Sequence, residues 1–420
     1  MSVAALPVAA EHGTGVIGAR QAETAADRFA AASRREWHRT IGIGLAAYVI
    51  SRILVYVGSY AQATQEVSER QSRFLPVPGS VRVMIENVLW RWDGKWYKII
   101  ADEGYPRQLA TFIRYDQGSS ASVAFFPVYP MLARWFDLVF PGNVFYALLG
   151  LNVVLSAIAV VLVGMIARDL YDLDTARRAM ILFCVFPGAV TLSWSYAEPS
   201  LIVCATACFL CLHRERWILA GVFSAIGTAT RPNAIGLVAA CGVAALLVIW
   251  KRRQWRALVS VVLAPLGVFG YHLFLTHHTG ESGAWMRAQR EAWDEGYSWG
   301  ATAVRFTWRF LENPLGSWYG GTYMHTALAL FALAIGAYCA VVRRVPLPML
   351  AYAAGVAALM VMPATVSARP RFVFAAFPLV FGVAAWLPRR RRYLFEGVVV
   401  LSAGSMVVFT LIYGSYAVIP

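Results

Sequence analysis

Charge is what this sequence has least of. Asp, Glu, Lys and Arg make up 14% of its 420 residues, while 59% are hydrophobic and the mean hydropathy is +0.56. A soluble domain cannot cover that much apolar surface, so the bilayer is the solvent. Lysine is rarer still, at three of the 37 basic residues; with the Ala-rich composition this points to a GC-rich bacterial genome and a bacterial plasma membrane. No internal repeat is evident, which removes the main signature of a transporter built from inverted halves. Cysteine is confined to apolar blocks, at Cys184, Cys204, Cys208, Cys211, Cys241 and Cys339. Three of these share one helix face, but no hard ligand lies beside them, and small core residues are the better reading.

What is present is a succession of apolar blocks of about 17 to 23 residues, each long enough to cross about 30 Å of hydrocarbon as a helix. The expectation is an all-α polytopic membrane protein with about eleven spans. They are placed near 40–61, 144–166, 179–194, 197–213, 217–231, 232–250, 257–276, 322–342, 347–363, 371–387 and 393–413. Residues 1–39, interrupted by Arg20, Arg28, Arg34, Arg35 and Arg39, lack a hydrophobic period and read as a mobile cytoplasmic tail before a transmembrane domain over 40–420. Thr40 to Tyr60, followed by Ala61-Gln62-Ala63, has the outline of a signal peptide. Its core and leader are too long and Arg52 interrupts it, so it is expected to stay as the first span.

Charge also sorts the connections. Taking alternate connections from the tail onwards, one side carries 20 basic against 9 acidic residues, and the other 16 against 14. This positive-inside pattern accounts for the net charge without nucleic acid and places the N-terminus in the cytoplasm. Two long loops, about 62–143 and 277–321, then fall outside. Both are rich in Trp and Tyr, so they are expected to fold as caps against membrane lipids. In the first, Val81 to Trp90 puts Met84, Ile85, Val88 and Leu89 on one face of an interfacial helix. A second helix is expected from Gly94 to Glu103, ended by Gly104. The proline-broken stretch AFFPVYP, Ala124 to Pro130, is expected to bend or re-enter.

The densest constellation is WRWDGKWY, Trp90 to Tyr97, followed by IIADEGY, Ile99 to Tyr105. Asp93 amid Trp92, Trp96 and Tyr97 has the make-up of a sugar site, because aromatic faces stack on sugar rings and a carboxylate accepts a hydroxyl proton. The same position also suits a helix N-cap worth about 1 kcal/mol, with no chemistry attached, and spacing alone leaves the two even. Arg52 lies inside the first span, where a charge costs at least about 2.5 to 3.5 kcal/mol unless paired or wet. It is read as a phosphate or carboxylate partner, the alternatives being snorkelling or a pair with Glu198. Glu198, in the outer turn SYAEP beside Tyr196, either orients a sugar or pairs with an arginine. Arg231 in TRPN and Arg369 and Arg371 in ARPRF lie at outer membrane boundaries, where guanidinium forks suit a lipid phosphate and equally serve as interfacial anchors. His277, at the entry to the second loop beside His278, is a candidate phosphate contact and a poor metal ligand. Asp172-Leu173-Asp174 has the DxD form but falls in a short cytoplasmic turn beside Arg168, Arg177 and Arg178, and reads as a solvated turn. The outer loops hold no DxD and no carboxylates at metal-ligand spacing, so neither metal nor cofactor is expected.

WRWDGKWYKIIADEGY, AFFPVYPML, FPGAVTLSWSYAEPSL, ATRPNAIGL and ARPRFVFAAFPL occur in the order of the blocks of PIG-V-type mannosyltransferases, which this chain resembles from about Trp90 to Leu379. Trp96 stands where many relatives carry His. The family consists of membrane-embedded enzymes of the GT-C glycosyltransferase superfamily. The resemblance implies transfer of mannose from a polyprenyl-phosphate carrier to a glycolipid, polysaccharide or protein acceptor on the extracytoplasmic side. It favours Asp93 as the base over Asp93 as a cap, with inversion at the anomeric carbon. Trp92, Tyr97, Tyr105 and Tyr196 join the arginines, Glu198 and His277 as candidate substrate contacts. The rival readings are a transporter or flippase of lipid-linked sugars and a relative that binds such a lipid without catalysis.

Overall fold

The computed structural model describes residues 14–77, 80–116, 118–139, 141–314, 320–364 and 369–415. Every regular element among them is helical, apart from one isolated bridge between Tyr297 and Pro363. Helix α1 runs from Thr14 to Ser72. It therefore extends through residues 14–39, which the sequence assigns to the tail, and past Tyr60 into the first outer loop; residues 1–13 lie outside the described part.

The first outer loop carries α2 (Val81–Leu89), α3 (Asp93–Glu103) and α4 (Val128–Val139). Ser80 caps α2 by accepting from Val83 N; of the four residues expected on its apolar face, Met84, Val88 and Leu89 are buried and Ile85 is half-buried. Gly104, at φ 84°, ends α3 in a conformation that glycine tolerates. The bend expected over Ala124–Pro130 falls at Phe125–Pro127. Pro130 sits in the first turn of α4, where a missing N–H leaves no intrahelical bond unmade.

The chain continues through α5 (Val144–Leu170), α6 (Leu173–Val185), α7 (Glu198–His213), α8 (Trp217–Thr228) and α9 (Ile235–Arg252). Next come α10 (Leu258–Leu263) and α11 (Leu266–Thr279), separated at Pro265. The second outer loop carries α12 (Ala284–Trp293) and α13 (Ala301–Glu312). After α14 (Gly320–Val342) and α15 (Leu347–Val361) the chain passes through α16 (Pro370–Ala375) and α17 (Leu379–Trp386), separated at Pro378, and through α18 (Arg392–Gly414).

Six helical segments are long and apolar enough to cross a membrane: Ser33–Ser72, Val144–Leu170, Pro232–Arg252, Trp255–Thr279, Gly321–Val342 and Arg392–Gly414. Helices α7, α8 and α15 are apolar but shorter. Length thus supports six of the expected spans; the others are short or broken. Small residues let the bundle close without a hydrophobic drive between helices. A Cβ on Gly382 of α17 would fall 2.4 Å from Ala340 Cα of α14, so only glycine permits that contact.

The connections gather at two ends. At one, the Arg168 guanidinium lies 4.5 Å from the Trp37 ring centre, and Arg178 donates to Leu387 O at 2.9 Å. Tyr171 OH donates to Arg343 O at 2.9 Å, and Arg252 meets Glu215 at 2.5 Å. These are the connections that the charge count groups on the tail side. Asp172 caps α6 by accepting from Thr175 N at 2.8 Å and also binds Arg389, while Asp174 meets Arg178 at 2.9 Å. Both carboxylates of the DxD are thus engaged in holding a turn. The two cap loops lie at the opposite end.

Orientation is open to a direct test in a background whose own cysteines are replaced. A membrane-impermeant thiol reagent applied to intact cells is expected to label a cysteine at Ser282 and to leave one at Arg256 unlabelled. The opposite pattern would invert the topology and put the DxD outside.

Candidate functional site

The site begins with a strained turn. Trp92 occupies the N-cap position of α3 at φ 62°, a conformation costing a non-glycine residue about 1 to 3 kcal/mol, and no side chain caps the helix. Its indole Nε1 donates to Tyr413 O at 3.1 Å, which pins the turn to α18. Asp93 is therefore the first residue of α3 and not its cap. Its Oδ2 accepts from Arg371 Nη1 at 2.8 Å and lies 3.6 Å from Arg231 Nη2. Arg231 Nη1 lies 2.5 Å from Glu198 Oε2. Glu198, Arg231 and Arg371 are buried. Asp93 Oδ1 has no hydrogen bond or ion pair to a described residue.

Backbone contacts explain why distant segments meet here. Ser195 N donates to Leu89 O at 3.1 Å and Tyr196 OH to Arg91 O at 3.3 Å, joining the SYAEP turn to the start of α3. Asn152 of α5 holds the same turn through Trp194 O at 2.6 Å and Tyr196 O at 2.9 Å. Val128 N donates to Ala229 O at 3.2 Å, tying α4 to the turn that carries Arg231. A Cβ on Gly188 would fall 2.5 Å from Pro370 O, so glycine is what lets the 187–192 turn touch α16. The Arg371 guanidinium lies 5.6 Å from the Tyr196 ring centre, within cation–π range.

Asp93, Arg231 and Arg371 open onto a cavity of about 430 Å³. One wall is apolar, formed by Val356, Leu359 and Met360 of α15 with Phe372; the facing wall is α12, through Trp285, Met286, Gln289, Arg290 and Trp293. Helix α12 is anchored on its other face. Arg287 donates to Ala110 O and Thr111 O, each at 2.7 Å, and Glu291 accepts from Ile113 N at 2.8 Å. The Arg287 guanidinium, followed by that N–H, holds the Glu291 carboxyl below the usual carboxylate range. Trp293 packs edge-on to Phe125 at 5.7 Å, and Tyr97 stands edge-on to Phe125 and Tyr129 at 5.3 and 5.1 Å. Burial pushes the Tyr97 phenol well above its usual range, so it stays protonated.

Of the residues singled out in the sequence, Asp93, Tyr97, Arg231 and Arg371 border the cavity, with Glu198 and Tyr196 behind them. Trp92 sets the turn. Arg52 belongs elsewhere: it donates to Ala189 O at 2.5 Å, Cys184 O at 2.9 Å and Ser193 Oγ at 3.0 Å, and none of its contacts is with Glu198. It satisfies carbonyls where α6 ends. Tyr105 OH donates to Phe125 O at 2.7 Å, a packing role in the cap. His277 is exposed on α11, and it is His278 that meets Tyr105 O at 3.0 Å. Arg369 is buried before α16, outside the cavity wall. Sequence reasoning missed the α12 face. Its signal was present, since residues 285, 286, 289, 290 and 293 fall on one side of a helix. Among the described residues, no group of three or more His, Cys, Asp or Glu is placed to hold a metal ion.

No family model matches the sequence, and no curated protein matches it. Among solved structures, the chain is similar to the apo oligosaccharyltransferase of Archaeoglobus fulgidus at 13% identity and a TM-score of 0.42, over 89% of this chain and 56% of that one. It thus spans little more than half of that protein. It is also similar to ArnT from Cupriavidus metallidurans, in the apo state and bound to undecaprenyl phosphate. Identity is 13% in both, over 77% of this chain and 71% of that one, with TM-scores of 0.46 and 0.45. At this identity and score neither substrate nor mechanism carries over.

The ion network makes a prediction of its own about stability. Arg231→Met leaves Glu198 buried without its partner and is expected to destabilise the protein by about 3 to 5 kcal/mol. Adding Glu198→Gln to that variant is expected to recover more than half of the loss. Thermal unfolding in detergent measures both, and strictly additive losses would show that the two residues do not act as a pair.

Proposed function

We propose that the cavity is the active site of a GT-C-type membrane glycosyltransferase that takes mannose from a polyprenyl-phosphate carrier on the extracytoplasmic side. One observation carries the reading. Asp93, Phe125, Arg231 and Arg371 on the cavity wall, and Glu198 behind it, come one each from the five blocks that resemble those of PIG-V-type mannosyltransferases, bringing together segments up to 278 positions apart. The mannosyl specificity rests on the resemblance alone.

The chemistry asks for one base. The acceptor hydroxyl gives its proton to Asp93 Oδ1 while its oxygen attacks the anomeric carbon from the face opposite the phosphate. The carbon–oxygen bond to the phosphate breaks, and the phosphate leaves with the electron pair. A phosphate leaving group needs no proton, so a second carboxylate of the glycosidase kind is not required, and single displacement inverts the centre. Arg371 and Arg231 position the base through Oδ2 and leave Oδ1 to the acceptor. Tyr97, Phe125 and Trp293 offer aromatic faces to the sugar, and the apolar α15 wall suits the first isoprene units. The acceptor, whether glycolipid, polysaccharide or protein, has to present a hydroxyl. With the site outside, as the charge count predicts, cytoplasmic nucleotide sugar does not reach it, and the sugar must arrive on a lipid.

The test is a transfer assay with protein purified in detergent. Mannose is expected to move from polyprenyl-phosphate-mannose in excess EDTA, with nucleotide-mannose inert. Asp93→Asn is expected to cut turnover by about 100-fold or more while the protein stays folded. Transfer from the nucleotide sugar, loss of activity in EDTA restored by magnesium or manganese, or an active Asp93→Asn variant would overturn the mechanism.

A further inference from the structure

The ion network creates a charge deficit at the proposed site. Asp93 and Glu198 supply two negative charges, Arg231 and Arg371 two positive ones, and the contacts between them close at 2.8, 3.6 and 2.5 Å. A carrier phosphodiester brings one further negative charge, and it departs as a phosphomonoester with two once the bond to the sugar has broken. The paired arginines offer it no net positive charge, and recruiting one of them would strand a buried carboxylate. Glu295, also on the wall, lies in the field of Arg369, so the two add no net charge; its Oε1 accepts from Ala364 N at 3.0 Å.

Among the described residues, one cation on the wall is uncommitted. Arg290 of α12 is exposed, borders the cavity, and makes no ion pair or hydrogen bond with a described residue. Its neighbours Arg287 and Glu291 are spent on anchoring α12 to the first outer loop. Arg290 therefore stands on a helix held firmly from behind, between Trp285 and Trp293 on the same face. A guanidinium also presents donors in a fork that matches two phosphate oxygens at once.

We propose that Arg290 is the contact for the carrier's phosphate, a lipid-borne phosphate ester. This rests on the transferase reading and adds to it the group that balances the leaving charge. Charge on the phosphate grows as the sugar departs, so the contact strengthens towards the transition state and its loss falls on turnover more than on donor affinity.

Binding of decaprenyl phosphate, decaprenol and inorganic phosphate to the purified full-length protein, read by tryptophan emission, separates the possibilities. The parent is expected to bind decaprenyl phosphate at least about tenfold more tightly than decaprenol. Arg290→Gln should lose that preference and Arg290→Lys keep part of it. Arg305→Gln, an exposed cation on α13 away from the wall, should keep it whole. In transfer, Arg290→Gln should lower turnover at least about tenfold with the donor KM changed by less than about threefold. A preference that survives in Arg290→Gln overturns this assignment and leaves the transferase reading standing. No preference in the parent overturns that reading as well. Displacement of decaprenyl phosphate by an equal concentration of inorganic phosphate would assign the site to a free anion and overturn the proposal, and a raised KM with unchanged turnover would overturn the leaving-group role.

Discussion

Two guanidiniums sit buried at one end of an apolar bundle because two carboxylates meet them there. Each of the four groups comes from a different segment: the start of α3, the start of α7, the turn before α9, and α16. Taking one away leaves a charge in a medium that cannot solvate it, so the network fixes the four segments relative to one another. An apolar replacement of matching shape would hold the bundle together as well or better, and stability alone does not account for keeping the charges. What the ionic version adds is a carboxylate clamped through one oxygen and open through the other.

Arg52 meets the same problem by other means. Helix α6 stops at Val185, which leaves its last carbonyls without intrahelical partners, and the 187–192 turn adds Ala189 O. Carbonyls at a helix C-terminus carry partial negative charge, and a guanidinium with several donors is well suited to them. The cation and the helix end satisfy each other without a carboxylate. A charged residue deep in an apolar span is therefore no sure sign of a ligand: in this protein the same side chain serves one break in the helical hydrogen-bond ladder.

The contrast shows what was legible in the sequence. Apolar block length and loop charge sufficed for the helical architecture and for the grouping of connections at two ends, because both are set by local composition. The stop of α3 at Gly104 and most of the apolar face of α2 were legible for the same reason, whereas the turn into α3 was not: the helix starts at Asp93, with Trp92 and not Asp93 at the cap position. Asp93, Arg231 and Arg371 were legible as polar residues at loop edges beside prolines and aromatics, but their mutual pairing was not, since it depends on contacts across more than 100 positions. Arg52 and His277 drew attention by position, but Arg52 turned out to bind backbone carbonyls and His277 to lie exposed, with His278 making the contact to Tyr105. The α12 face went unnoticed because its amphipathic pattern is short and lies in a loop, where such patterns ordinarily mean a helix resting on the membrane.

The bond from Trp92 to the carbonyl of Tyr413 spans 321 positions. A membrane protein is made and inserted from its N-terminus, so the first outer loop emerges long before α18 exists. Until that helix enters the bilayer, the turn before Asp93 has lost the contact that offsets its unfavourable backbone, and it is free to relax. Assembly is thereby ordered in time: the turn that leads into Asp93 gains its tie to α18 only after every helix between them in the chain has been made.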